Sequence, residues 1–370
     1  MLSLAILLPL STFVIEDDSF GSGAQLIQTF VIEDDSFGSG AQLVQLKVLK
    51  NTATGEMVEV VPSLGGKTEA LVLRTPRGDL REVLLDHHRN ATAVHANVGW
   101  KGAMLVPYAN RIANGTYTLN HVTHYLERNE DRGPYGKIAL HGYLYRKQMT
   151  VLNATGGADA ARLTLGYDFD GTDAGYPFLL SVAITYELGA RGFVVTTTAH
   201  NRHAAQPLPF FNGWHSYFKV ADISKATLTL DGCSGWNHIR VPNDSNVNSS
   251  LIPTGVTAPW TTFDGSAPLG GTTAVPTYYD DEFKATASVA ACPTLETKIH
   301  DGVSGDTAVL WQDARFRFVQ VYSGTKHALG EDAIAVEAMS SEADAWNNMQ
   351  GINVLQAGET FTGQFGVVVE

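Results

Sequence analysis

Residues 179–188, LLSVAITYEL, and 192–201, GFVVTTTAHN, are two runs in which apolar and polar side chains alternate, separated only by Gly189, Ala190 and Arg191. A period of two places successive side chains on opposite faces of an extended chain, the signature of a strand with one buried face. Working outward, the same alternation returns in AQLVQLKVLKN (41–51), EMVEVVPS (56–63), TEALVLRT (68–75), GTYTLN (115–120) and ARLTLGYDF (161–169). It continues in ATLTLDG (226–232), TAVLWQD (307–313), FRFVQVYS (316–323) and TFTGQFGVVVE (360–370). Clusters of Gly, Asn, Asp and Pro punctuate these runs, and no long segment carries a stripe of period 3.6. SSEADAWNNM (340–349) promises a turn or two of helix at most. The pattern predicts an all-β fold, an antiparallel sandwich or barrel, rather than alternating β and α units.

Composition agrees. The 370 residues are 44% hydrophobic and only 17% charged, with 36 Gly and 14 Pro, which suits a large buried core linked by many turns. No low-complexity linker interrupts residues 46–370, so residues 29–370 are expected to form a single domain. Residues 12–28 recur almost letter for letter as 29–45, differing only at Ile27 and Val44. A single tandem copy cannot build a solenoid. Only the second copy leads directly into a strand-like run, so residues 1–28 are read as a separate, signal-like or disordered segment. The opening MLSLAILLPLS has the length of a signal-peptide apolar core but no preceding Lys or Arg, and it is too short to span a bilayer. With N-x-S/T sequons at Asn90, Asn114, Asn153, Asn243 and Asn248, it gives a lean toward secretion, with the cytoplasm as the alternative.

A net charge of −13 without a basic run argues against nucleic acid or an anionic membrane as partner. Two cysteines, Cys233 and Cys292, rule out a disulfide framework and leave room for one bridge. Adjacent His87 and His88 in DHHRN face opposite ways on a strand, and no metal-binding spacing occurs, so no metal is expected. P-loop, dinucleotide and nucleophile-elbow motifs are absent, and no cofactor is expected. What remains is acid–base chemistry by His, Asp and Glu.

Chemically loaded segments stand out within the strand-rich background. VPYANRIANGTY (106–117) sets Asn110 and Arg111 in uncharged, turn-rich sequence; an exposed loop pair is the plainer reading. IALHGYLY (138–145) ends an apolar run at His141, either a structural histidine or a site residue, and Gly142 permits close backbone approach. PFFNGWHSYFKV (209–220) surrounds His215 with aromatic rings, Trp214, Tyr217 and Phe218 among them. AIAVEAMSSEADAWNN (333–348) interrupts an apolar strand with Glu337, which must be the base of a site or half of a structural ion pair.

Taken in order, NRIANGTY, LHG, GYPFLLSVAITYEL, HSYF, DDEF and VEAMS…DAWN…GINVLQAGETFTGQFGV resemble the aldose 1-epimerase (galactose mutarotase) family over residues 46–368. The resemblance implies a large antiparallel β-supersandwich with a sugar cleft, and a free aldose as the small-molecule partner of a monomer or weak dimer. It makes Glu337 the general base, His215 the general acid, and His141 a second histidine that holds the sugar and its ring oxygen. Arg111 and Asp280 match sugar-hydroxyl ligands, Gln320 in FVQVYSG falls near a polar contact, and Asn110 and Trp214 join the candidate substrate-binding set. After His141 the GYLYRKQM stretch departs from the family pattern, so the wall on one side of the sugar should differ, while Arg146 and Lys147 keep a phosphorylated hexose open. The implied reaction interconverts α and β anomers of a hexose such as glucose or galactose. A hexose-6-phosphate 1-epimerase and a non-catalytic carbohydrate-binding protein are the alternatives, and a glycosidase ranks behind them. For the chemistry, His215 is expected to start protonated, oriented by Asn212 or the Gly213 backbone. Glu337 is expected to stay ionised among hydrogen-bond donors, facing His215 across a pocket one pyranose wide.

Overall fold

A computed structural model describes residues 29–231, 235–244, 249–270, 278–323, 332–351 and 353–370. The expectations for residues 1–28, and for Cys233 as partner of Cys292, lie outside the described residues. The two opening runs form the strands Leu179–Gly189 and Gly192–Asn201, paired antiparallel with Gly189 opposite Gly192. Along Leu179–Gly189 every second residue is buried, as the alternation requires.

These strands sit inside a nine-stranded sheet whose order runs Thr150–Thr155, Ala160–Asp170, Leu179–Gly189, Gly192–Asn201, Thr360–Val369, Thr307–Gln312, Leu295–His300, Thr227–Asp231 and Asp264–Pro268. An eight-stranded sheet faces it. Its path is Thr257–Trp260, Trp236–Ile239, Asp280–Ala285, Phe318–Tyr322, Ala333–Met339, Gly213–Trp214 and Met104–Leu105, with Tyr217–Lys219 also paired to Ala333–Met339. Within these two sheets every ladder is antiparallel. The α-helices among the described residues are short, Ala91–Ala96 and Ala345–Asn348, the second falling within SSEADAWNNM. None is long and apolar enough to cross a membrane.

One apolar core fills the space between the sheets, with Ile184, Phe193, Phe365 and Val367 from one side and Phe283, Val319, Val336 and Ala338 from the other. Alternation then dictates what the outer face of the eight-stranded sheet carries. Val336 and Ala338 point into the core, so Glu337 between them points away from it. Register aligns Glu282, Gln320 and Glu337 across neighbouring strands. A small sheet of Glu130–Asp131, Lys137–Leu140 and Arg111–Ile112 brings further polar side chains to this face. A five-stranded sheet, from Phe30–Phe37 to Leu80–Glu82, packs against the nine-stranded sheet, and its Thr68 N–H donates to Gly102 O at 3.0 Å, two residues after Trp100.

Candidate active site

A cleft opens on the outer face of the eight-stranded sheet. Asn110, Arg111, His141, His215, Asp280, Gln320 and Glu337 all line it, although they come from separate segments spread over more than half the chain. His215 Nε2 lies 3.4 Å from Glu337 Oε1. His141 sits edge-on to His215, ring centres 5.1 Å apart.

Local backbone geometry explains the positions of Asn110 and His141. Both adopt left-handed conformations, with φ of 51° and 66°, unusual for non-glycine residues and frequent where a site over-determines the backbone. His141 N–H donates to Asn110 O at 3.0 Å, locking the two turns together. Gly142 also has positive φ, and a Cβ there would collide with Val106 O, so the close approach read from LHG is real.

The polar groups form a closed ring. Arg111 Nη1 donates to Asn110 Oδ1 at 3.2 Å, Asn110 Nδ2 to Gln320 Oε1 at 2.9 Å, and Gln320 Nε2 to Asp280 Oδ1 at 2.8 Å. Asp280 Oδ2 returns to Arg111 Nη2 at 3.7 Å. Burial works against the Arg111 charge, but Asp280 and Glu130 more than offset it and raise its pKa above the ordinary range. Burial pushes Asp280 up to about 6, with Arg111 pulling the other way.

The catalytic candidates differ from the sequence reading in their charge. His215 is driven down to about 3, by burial above all and also by the Arg111 charge, against a backbone contribution that raises it. Burial also lowers His141 well below the ordinary range, reinforced by His215 and Arg111. Glu337 is raised well above the carboxylate range by burial and by Asp280, with Arg111 offsetting only part. The physical reason is that no described residue hydrogen-bonds Glu337 Oε2 or His215 Nδ1, and the Asn212 side chain has no partner either. Asn212 therefore does not orient the imidazole. Aromatic faces do: Tyr217 stacks on His215 at 5.0 Å and 16°, and Trp100 lies beyond at 6.5 Å and 21°. These shifts favour the neutral arrangement, a protonated Glu337 beside an uncharged His215.

Further expectations need correction. Trp214 does not line the cleft: it is fully buried in the inter-sheet core, stacked on Phe365 at 5.2 Å. It precedes His215 in an extended segment, so the two side chains face opposite ways. The separation of His215 and Glu337 is also much less than the width of a pyranose. Arg146 and Lys147, retained for a phosphate, pair instead with Glu127 and Asp173 outside the cleft lining.

Sequence reasoning missed Trp100, Glu130, Arg132, Tyr278 and Tyr322, which also line the cleft. Trp100 forms part of the wall beside His141; its ring meets that imidazole edge-on at 4.9 Å. A signal existed in NVGWKG (97–102), a Trp set among turn residues. His141, His215 and Glu337 also present atoms within 4.8 Å of one another that could ligate a metal. That spread exceeds the edge of about 3.3 Å that zinc bond lengths imply for a tetrahedron, so an ion would have to draw the three together.

The fold has solved counterparts. A galactose 1-epimerase from Lactobacillus acidophilus NCFM superposes with a TM-score of 0.69 at 16% identity, covering 92% of this chain and 99% of that one. In sequence, the chain is 26% identical over 262 residues to the uncharacterized protein YihR of Escherichia coli, covering 70% of this chain and 75% of the relative. It is 32% identical over 176 residues to the galactose mutarotase of Sus scrofa, covering 45% and 46% of the two. The aldose 1-epimerase family model matches residues 40–367, and the chain belongs to that family.

Proposed function

We propose that residues 29–370 form one catalytic unit, an aldose 1-epimerase that interconverts the α and β anomers of a free hexose by opening and reclosing the ring. The observation that carries this reading is the approach of His215 Nε2 to Glu337 Oε1 at 3.4 Å inside the polar-lined cleft. Ring opening removes a proton from the C1 hydroxyl and delivers one to the ring oxygen. Both oxygens are bonded to the same carbon, so an acid and a base that nearly touch match them better than a pair standing on opposite sides of the sugar.

The pair works because it holds one proton in either of two arrangements, neutral acid with neutral imidazole, or carboxylate with imidazolium. Both contain one donor and one acceptor. A bound sugar brings the hydroxyl donor that Glu337 lacks, favouring the carboxylate and moving the proton to His215. Glu337 then takes the C1 hydroxyl proton while His215 protonates the ring oxygen. The C1–O5 bond breaks, an aldehyde forms, and rotation about C1–C2 presents its other face for reclosure with the proton transfers reversed. Each positioned group is worth on the order of 10²–10⁴-fold. His141 holds the ring oxygen side, and the Arg111–Asn110–Gln320–Asp280 ring reads hydroxyls remote from C1.

The test is polarimetry of freshly dissolved α-D-glucose, α-D-galactose and α-D-xylose. Wild-type protein should speed the approach to anomeric equilibrium for at least one of them. Protein that binds these sugars without changing the rate would instead be a carbohydrate-binding module.

A further inference from the structure

We infer that Glu130, a residue outside the proton-transfer pair, positions Arg111 for the sugar and sets the selectivity of the cleft against anionic sugars. The inference rests on the epimerase reading for its substrate but not for its geometry. Glu130 Oε2 accepts from Arg111 Nε at 2.8 Å and Oε1 from Arg111 Nη2 at 3.0 Å, a two-point grip that fixes the guanidinium plane as well as its position. Arg111 Nη1 is left to span Asn110 and the cleft.

The small sheet builds this grip. The strands of Arg111 and Glu130 flank Lys137–Leu140, with Arg111 opposite Leu140 and Glu130 opposite Ile138. Asn129 pins the arrangement, its Oδ1 accepting from Leu140 N at 2.8 Å and its Nδ2 donating to Leu140 O at 3.0 Å. Leu140 directly precedes His141, so the element that aims the histidine also carries the clamp.

Charge accounting gives the selectivity. A sugar phosphate needs a guanidinium or ammonium whose donors are open to the cleft. Both donors on the Glu130 side of Arg111 are taken. Arg132 turns Nε and Nη2 to Ser249 O at 3.2 and 3.0 Å, and its Nη1 lies 3.8 Å from Glu130. Glu130, Asp280 and Glu337 all line the cleft, so a phosphate dianion would meet carboxyl groups there. Glu130 thus neutralises the cations that a phosphate would seek while leaving Arg111 able to donate to a hydroxyl.

The experiment measures binding and turnover of D-glucose, D-galactose and glucose 6-phosphate by wild type, Glu130→Gln and Glu130→Asp, with calorimetry for affinity and polarimetry for rate. Wild type should bind its preferred neutral sugar about 100-fold tighter than the phosphate. Glu130→Gln should weaken the neutral sugar about ten-fold, in KM rather than kcat, and bring the selectivity to about ten-fold or less. Glu130→Asp, which keeps the charge, should recover part of both effects. A folded Glu130→Gln protein with wild-type affinity for both sugar types would overturn the assignment. So would wild type that binds glucose 6-phosphate as tightly as glucose, a result that needs no variant to fold. Wild type that binds glucose selectively without speeding its mutarotation would end the epimerase reading and leave the role of Glu130 intact; binding of neither sugar would end both.

Discussion

Two buried clusters in this molecule each join a glutamate to histidine, and they are built to opposite ends. In the first, Lys67 Nζ meets Glu69 Oε2 at 2.5 Å and His87 Nδ1 at 3.0 Å, while Glu69 Oε1 accepts from His87 N at 2.9 Å. Both carboxylate oxygens are partnered, and among the atoms of this trio only His87 Nε2 is a buried group without a partner. In the second, Glu337 has one contact with His215 at 3.4 Å, and Glu337 Oε2, His215 Nδ1 and His141 Nδ1 are all without partners. Burial alone would raise Glu69, but the His87 hydrogen bond and the Lys67 charge hold it at about 2. Burial raises Glu337 well above its range with no comparable relief. The difference is the one expected between a saturated cluster that holds the fold and an unsaturated one, beside a cleft, to which the proposed chemistry is assigned.

The largest expected effect separates the two by activity. Glu337→Gln should lower kcat about 10⁴-fold, about 5.4 kcal/mol in the barrier, while the melting temperature holds or rises because a poorly solvated carboxyl is gone. Glu69→Gln should do the reverse, lowering the melting temperature and leaving kcat within about three-fold. A folded Glu337→Gln protein of normal activity would sink the assignment of the base.

Next in size is the removal of one cation. Lys67→Met leaves Glu69 buried with His87 alone and should cost about 4 kcal/mol of stability, read by urea unfolding. Lys67 itself is lowered by burial, against the pull of Glu69, so the ion pair carries its own desolvation cost. The double variant Lys67→Met, Glu69→Leu should therefore recover most of the loss. If the single and double variants are equally unstable, the carboxylate is not what suffers.

Acid sharpens the contrast further. The Glu69 carboxyl falls from 4.5 to about 2 on folding, so its contribution is complete above pH 4.5 and disappears as pH falls toward 2. That amounts to about 3 kcal/mol. Glu337 and Asp280 shift upward, so their burial costs most at high pH and is relieved as pH falls through their folded values. Wild type should thus lose more stability between pH 4.5 and 2 than Glu69→Gln does, and Glu337→Gln should gain stability over wild type chiefly near neutral pH.

How much of this was legible in the sequence depends on how local the cause is. Period-two alternation is a backbone property, and it placed LLSVAITYEL and GFVVTTTAHN in neighbouring antiparallel strands. The same rule excludes Trp214, since a cleft-facing His215 sends its neighbour to the core. Trp100 escaped because Asn97, Gly99, Trp100 and Gly102 all have positive φ, and such a segment has no period to read. Glu130 lies in ERNEDRG (127–133), which looks like a solvated charge run, and its partner Arg111 meets it only through a β-ladder. Protonation was least legible of all, because the charge of His215 and Glu337 depends on which groups fail to reach them.

The smallest effect concerns how an imidazole without a hydrogen bond at Nδ1 keeps its aim. Tyr217 stacks on one face of His215, Trp100 lies parallel beyond it, and His141 meets the ring edge-on. Aromatic pairs contribute about 0.5–1.5 kcal/mol beyond burial, enough to hold a rotamer that nothing else fixes. A ring face also favours imidazolium over imidazole, which would assist the proton transfer to His215 in the proposed reaction. Tyr217→Leu keeps an apolar side chain but removes the face, and kcat should fall about ten-fold. Tyr217→Phe keeps the face and should stay within about two-fold. Equal losses in the two variants would assign the effect to the Tyr217 hydroxyl, a polar group of the cleft lining, and would remove the ring face as the element that aims His215.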